Sequence, residues 1–98
     1  MPKLYEYLGI MIMFYSNEHA PIHVHGKHAG RVCRAEINVQ NGKVTSIEFY
    51  PVGPGLAPDK QKEFEKFVCV RAGEIVEKWV DFFVYRKTIS PERITRRI

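Results

Sequence analysis

The dipeptide Asn41-Gly42 constrains this chain more than any other feature. It sits between two runs that alternate apolar and polar residues. A two-residue type I′ turn needs positive φ at both positions, and Asn-Gly tolerates that best, so the pair predicts a β-hairpin. In the first run, Arg31 to Val39, one face carries Val32, Arg34, Glu36 and Asn38. The other carries Cys33, Ala35, Ile37 and Val39, and this set reads as core-facing. The returning run, Val44 to Val52, alternates Ile47, Phe49 and Pro51 against Glu48 and Tyr50.

A hairpin with one apolar face needs cover, and the next segment supplies it. Gly53-Pro54-Gly55-Leu56-Ala57-Pro58 reads as a loop, and Asp59 as a helix N-cap. The helix is expected from about Lys60 to about Val84. Its apolar positions Phe64, Val68, Ala72, Ile75, Trp79, Phe82 and Phe83 step by three and four. Lys62, Glu63, Lys66, Glu74, Glu77, Lys78 and Asp81 mark the opposite face. Gly73 either permits close approach to the sheet or splits the helix in two.

Before the hairpin, Leu4 to Tyr7 and Ile10 to Tyr15 read as strands joined by a tight turn at Gly9. Ser16-Asn17-Glu18 is turn chemistry, and Pro21 forbids a regular helix. Ile22 to His28 returns to period two, until Ala29-Gly30 breaks it. Strands first and one long helix after give an α+β fold: a small antiparallel sheet of four to five strands, within about residues 3–52, packed against one long C-terminal helix. Residues 1–98 form one domain, ending in a basic tail, 86–98. In that tail Ser90-Pro91 suits the start of a short helix, and Ile94 and Ile98 are helically spaced. Thr95 and the β-branched content suit an extended arm instead, and both readings stand. One helix covers one face, so the other face is exposed, ligand-bound or covered by a partner, including a second copy in a homodimer.

At 45% hydrophobic and 27% charged, the chain resembles ordinary globular proteins. No apolar run reaches the roughly 20 residues of a membrane span. The opening Met1-Pro2-Lys3-Leu4-Tyr5-Glu6 lacks the order of a signal peptide, so a cytoplasmic location is expected. Cys33 and Cys69, each flanked by valine, read as two buried, reduced thiols rather than a disulfide or a CxxC metal site. Arg86, Lys87, Arg93, Arg96 and Arg97 face only Glu92, which accounts for the whole net charge of +4. Such a tail suits nucleic acid or an acidic partner, or simply a solvated end.

All four histidines lie in one stretch, Phe14 to His28. In a strand, His23 and His25 present two imidazoles on one side. His19 lies across the Pro21 bend, and Glu18 offers a carboxylate as ligand or as a partner that fixes a tautomer. His28 falls near the turn. Three readings follow. A transition-metal site would use His19, His23, His25 and Glu18, with zinc or nickel among the metals such donors suit. Metal-free acid-base chemistry would use His19, His23 and His25 in a small hydrolase or ribonuclease. The third reading gives the histidines a structural or partner-contacting role. A histidine-triad nucleotide hydrolase needs a third alternate histidine, where Lys27 stands. A cupin strand needs a glutamate soon after the pair, and Lys27, His28, Ala29 and Gly30 are found there.

Phe14-Tyr15-Ser16-Asn17-Glu18-His19, then Pro21, then His23-Val24-His25 resembles the signature of a small bacterial domain-of-unknown-function family: Phe-x-Ser-(Asn/Asp)-x-His-x-Pro-x-His-x-His. The likeness continues in outline through Glu36-Ile37, Asn41-Gly42 and Ile75-Val76-Glu77-Lys78-Trp79. It implies a setting in which the chain is encoded beside another very short protein, as one half of a toxin–antitoxin-like pair. His19, His23 and His25 carry over as signature histidines and His28 does not. Many members have a second proline where this chain has Ile22, which loosens the loop. The function this implies is a binding or regulatory component of a two-protein module, with the histidine cluster as its surface. The alternative is the small hydrolase above.

Overall fold

A computed structural model describes residues 3–14 and 22–98. The element order is β1 (Lys3–Tyr7), β2 (Ile10–Met13), β3 (Ile22–His28), β4 (Arg31–Gln40), β5 (Lys43–Val52), α1 (Pro58–Phe83) and β6 (Glu92–Ile94). The strands form one sheet in the order β5-β4-β3-β2-β1-β6. Strands β1 to β5 pair antiparallel, whereas β6 pairs parallel with β1. The α+β class with one long helix is as expected, but among the described residues the sheet has six strands and is mixed. The sixth comes from the tail, which resolves as an extended arm.

Three of the connections share one solution. Leu8-Gly9, Ala29-Gly30 and Asn41-Gly42 all have positive φ at both residues, the type I′ geometry that matches strand twist. In two of them Leu8 or Ala29, neither an Asn nor a Gly, takes the first left-handed position. This costs about 1 kcal/mol that an Asn or Gly would reduce.

One face of the sheet is packed by α1. Tyr5, Tyr7, Ile10, Ile12, Val24, Cys33, Ala35 and Ile37 are buried there with Phe64, Phe67, Val68 and Ile75 of the helix. Phe67 lies between two tyrosine rings, 4.9 Å from Tyr5 and 4.6 Å from Tyr7. The sequence reading of the helix face omitted it. Burying side chains of this size stabilises by about 1.5–3 kcal/mol each. The helix begins two residues earlier than expected, at Pro58. Ala57 is the N-cap, with no side-chain cap bond, and Pro58 opens the first turn. Asp59 is therefore inside the helix, where its charge still favours the N-terminal dipole. Gly73 does neither thing expected of it. The helix runs through it unbroken, and it faces open space.

The tail docks along β1. Ile94 packs on the core, Arg93 Nε lies 3.1 Å from Glu6, and Arg97 Nη1 lies 2.9 Å from Glu63. The Ile98 amide donates to the Tyr7 hydroxyl at 3.0 Å. Lys60 joins this corner, donating to the Leu8 carbonyl at 2.8 Å and to Glu63 at 3.0 Å. Burial works against the Glu63 carboxylate, but Lys60 and Arg97 hold its pKa below the usual range. Both cysteines are free thiols. Cys33 is buried, with its pKa raised chiefly by that burial. Cys69 is exposed, against expectation, because it falls on the solvent side of α1.

Candidate functional site

The second face of the sheet is not covered by the helix, and the side chains on it form ordered rows. Register fixes them. Met13, His25, Arg34 and Tyr50 are successive partners across β2, β3, β4 and β5. His23, Glu36 and Glu48 form the next row, and Asn38 and Ser46 the one after.

Glu36 and Glu48 stand directly opposite each other, an arrangement that is destabilising when unrelieved. Here each carboxylate has its own partners. Arg34 Nη2 lies 3.0 Å from Glu36 Oε2, and its guanidinium stacks 5.2 Å from the Tyr50 ring centroid. The Tyr50 hydroxyl donates to Glu48 Oε2 at 2.7 Å, and Asn38 Nδ2 donates to Glu48 Oε1 at 3.2 Å and to Ser46 Oγ at 3.0 Å. A continuous chain of contacts thus runs Ser46–Asn38–Glu48–Tyr50–Arg34–Glu36. The bond to Glu48 raises the Tyr50 pKa, so this hydroxyl keeps its proton as a donor. No single exposed pair here is worth much, but the chain fixes the orientation of six polar side chains.

His23 and His25 adjoin this chain, with ring centroids 5.7 Å apart and planes at 80°. They share a face, as their spacing predicts. Although it lies away from the helix, His25 is only 6% exposed. Its pKa falls to about 4, because burial disfavours the imidazolium and His23 and Arg34 add repulsion. His25 is therefore neutral near pH 7. His28 is out of phase with the pair and sits at the end of β3, beside Gly9. There it joins Met11, Met13 and Lys27 around a shallow cleft of about 450 Å³.

Glu18 and His19 lie outside the described residues, so half of the expected ligand set is not placed. Among the described residues, no group of three or more His, Cys, Asp or Glu converges to hold a metal. A zinc or nickel site therefore rests on Glu18 and His19 joining the His23–His25 pair. The Arg34–Tyr50–Glu48 row was missed at the level of sequence. Its only signal was the alternation that put Arg34 and Glu36 on one face and Glu48 and Tyr50 on another.

These features define a small α+β domain whose ordered polar surface is the uncovered face of its sheet. The chain matches the family "Domain of unknown function (DUF4160)" over residues 9–80 and belongs to it. The matched segment contains β2 to β5 and most of α1, hence all of Arg34, Tyr50 and Glu48. It leaves out β1 and β6. No curated protein and no solved structure matches the chain. Among the described residues no helix is long and apolar enough to cross a membrane.

Proposed function

We propose that this protein is the binding or regulatory component of a two-protein, toxin–antitoxin-like module. The uncovered sheet face, with His23, His25, Arg34 and Tyr50, is its contact surface. One observation supports this reading above others: the side chains on that face are mutually oriented while those of Tyr50 and Arg34 stay accessible. Tyr50 is 37% exposed, and the Arg34 side chain 42%. Tyrosine and arginine held rigidly at a surface are the residue types that dominate binding energies, because little side-chain entropy is lost on contact.

Acid-base hydrolysis is less well served. A histidine general base works best with a pKa near the operating pH and with open access to substrate. His25 has neither.

The test is association with a very short protein encoded beside this one, the setting that the family resemblance implies. Co-purified complex is expected for the parent chain, and Tyr50→Ala or Arg34→Gln should weaken it by at least about tenfold, or ~1.4 kcal/mol. Isothermal titration with folded variants reads this directly. A parent chain that does not bind, or variants that bind as the parent does, would overturn the reading.

A further inference from the structure

The sheet ends differently on its two sides. One edge strand is β6, only three residues long. The other is β5, ten residues long, whose single neighbour among the described residues is β4. Long edge strands are templates for further pairing unless something blunts them.

The outer backbone of β5 can be read from Pro51. Between Ser46 and Val52 the register with β4 is unbroken. Proline has no N–H, so that ladder stays regular only if position 51 turns its nitrogen outward. Alternation then turns the backbones of Phe49 and Ile47 outward as well. The rim offers two N–H donors, of Ile47 and Phe49, and three carbonyls, of Ile47, Phe49 and Pro51. Side chains near the rim are also under-covered. Ile47 and Phe49 lie on the helix side yet are only partly buried, and Val52 is 49% exposed.

We propose that β5 pairs antiparallel with β5 of a second copy of this chain, about a two-fold axis at Phe49. The outward backbone groups are satisfied in this register. The Phe49 amide meets the Phe49 carbonyl of the second copy, and the Ile47 amide meets the Pro51 carbonyl. Every outward donor is used, and the missing proline donor falls at the rim of the pairing. Two neighbouring registers have the same backbone parity. The one centred on Tyr50 sets Ile47 against Gly53, beyond the end of β5, and the one centred on Glu48 sets that carboxylate against itself, which is unfavourable. In the chosen register Glu48 faces Tyr50 of the second copy, the residue type it already accepts a hydrogen bond from within its own chain. On the helix side the two Phe49 rings meet, extending the contact Phe49 makes with Phe64 at 5.9 Å. The assembly closes at two, because each β5 is consumed and the remaining edges are the short β6 strands.

Sedimentation of untagged protein at about 100 μM is expected to give twice the 11.4 kDa chain mass. Ile47→Pro removes an outward donor and spares the ladder with β4. It should leave a monomer with an unchanged far-UV spectrum. A second measurement uses otherwise unperturbed strands. In a Cys69→Ser background, chains carrying Glu48→Cys should form a disulfide with chains carrying Tyr50→Cys under mild oxidation, and Glu48→Cys alone should not. A parent chain that is monomeric at that concentration overturns the proposal. So does a dimer that survives a folded Ile47→Pro variant, or cross-linking of Glu48→Cys with itself in preference to the mixture.

Discussion

Gly26→Ala is expected to lower the unfolding free energy by about 2–3 kcal/mol, and Gly26→Val to abolish cooperative unfolding. Gly26 sits in β3 on the helix side, directly under the ring of Phe64. A Cβ placed there would lie 2.5 Å from Phe64 Cε1, 2.6 Å from Cδ1 and 3.0 Å from Cζ. Contacts that short require movement, and Phe64 has nowhere to go. It is fully buried, and Phe49 packs edge-on against it. The ring is carried by α1, so relieving the clash means lifting the helix from the sheet. Overpacking of this kind costs about 1–3 kcal/mol, and the steepness of the repulsion puts alanine at the upper end. Valine adds two further methyls, in a domain whose total stability is of order 5–15 kcal/mol. Urea unfolding of the parent, Gly26→Ala and the double variant Gly26→Ala/Phe64→Leu measures the effect. Leucine is smaller than the ring, so the double variant should be more stable than the two single costs added together. An alanine variant within about 0.5 kcal/mol of the parent would show that the helix yields cheaply here.

This glycine also marks where sequence reasoning stops. The alternation of Ile22 to His28 was plain, and in the structure Gly26 lies on the core side with Val24. Nothing local said that the empty position receives a ring 38 residues later in the chain. Complementarity between distant positions has no period, so it leaves no trace in a one-dimensional pattern. The helix was legible because its face repeats, and the strands because they alternate.

One feature was encoded yet went unread. A two-residue turn at Asn41-Gly42 pairs Gln40 with Lys43, and an unbroken ladder would then set Ile37 against Ser46. Ile37 and Ile47 both belong to the core, so one extra residue must be absorbed between them. The structure has that irregularity between Asn38 and Val39, after which Ile37 faces Ile47 and Glu36 faces Glu48. The shift brings Arg34 level with Tyr50 and so creates the row on the uncovered face. The tail was ambiguous for a different reason. Three residues of strand carry too little pattern to outweigh a helical spacing of isoleucines. Its docking is decided by Glu6, Glu63 and Tyr7, all remote in sequence.

Acid should destabilise this protein well before its carboxylates protonate. His25 has a pKa of about 4 in the fold against an ordinary 6.5. Between those values the unfolded chain binds a proton that the folded chain does not, so stability rises with pH and is lost as pH falls through this window. At about 1.4 kcal/mol per unit, moving from pH 7 to pH 5 should cost about 2 kcal/mol. Glu63 and Glu74 have folded pKa values below the ordinary carboxylate value, so their contributions fade only below about pH 4.5 and do not mask it. Denaturant titrations from pH 7.5 to 4.5 on the parent and on His25→Gln separate the contribution. The variant should be nearly flat between pH 7 and 5. Arg34→Gln, which removes one source of repulsion, should show a shallower slope than the parent. Equal slopes in the parent and His25→Gln would mean that His25 titrates normally in the fold. The outcome bears on function as well. A ring that is buried and resists protonation adds no charge to that face at pH 7. The half-exposed Arg34 guanidinium beside it is a cation there, so a partner that binds this face is expected to meet Arg34 with an acidic group.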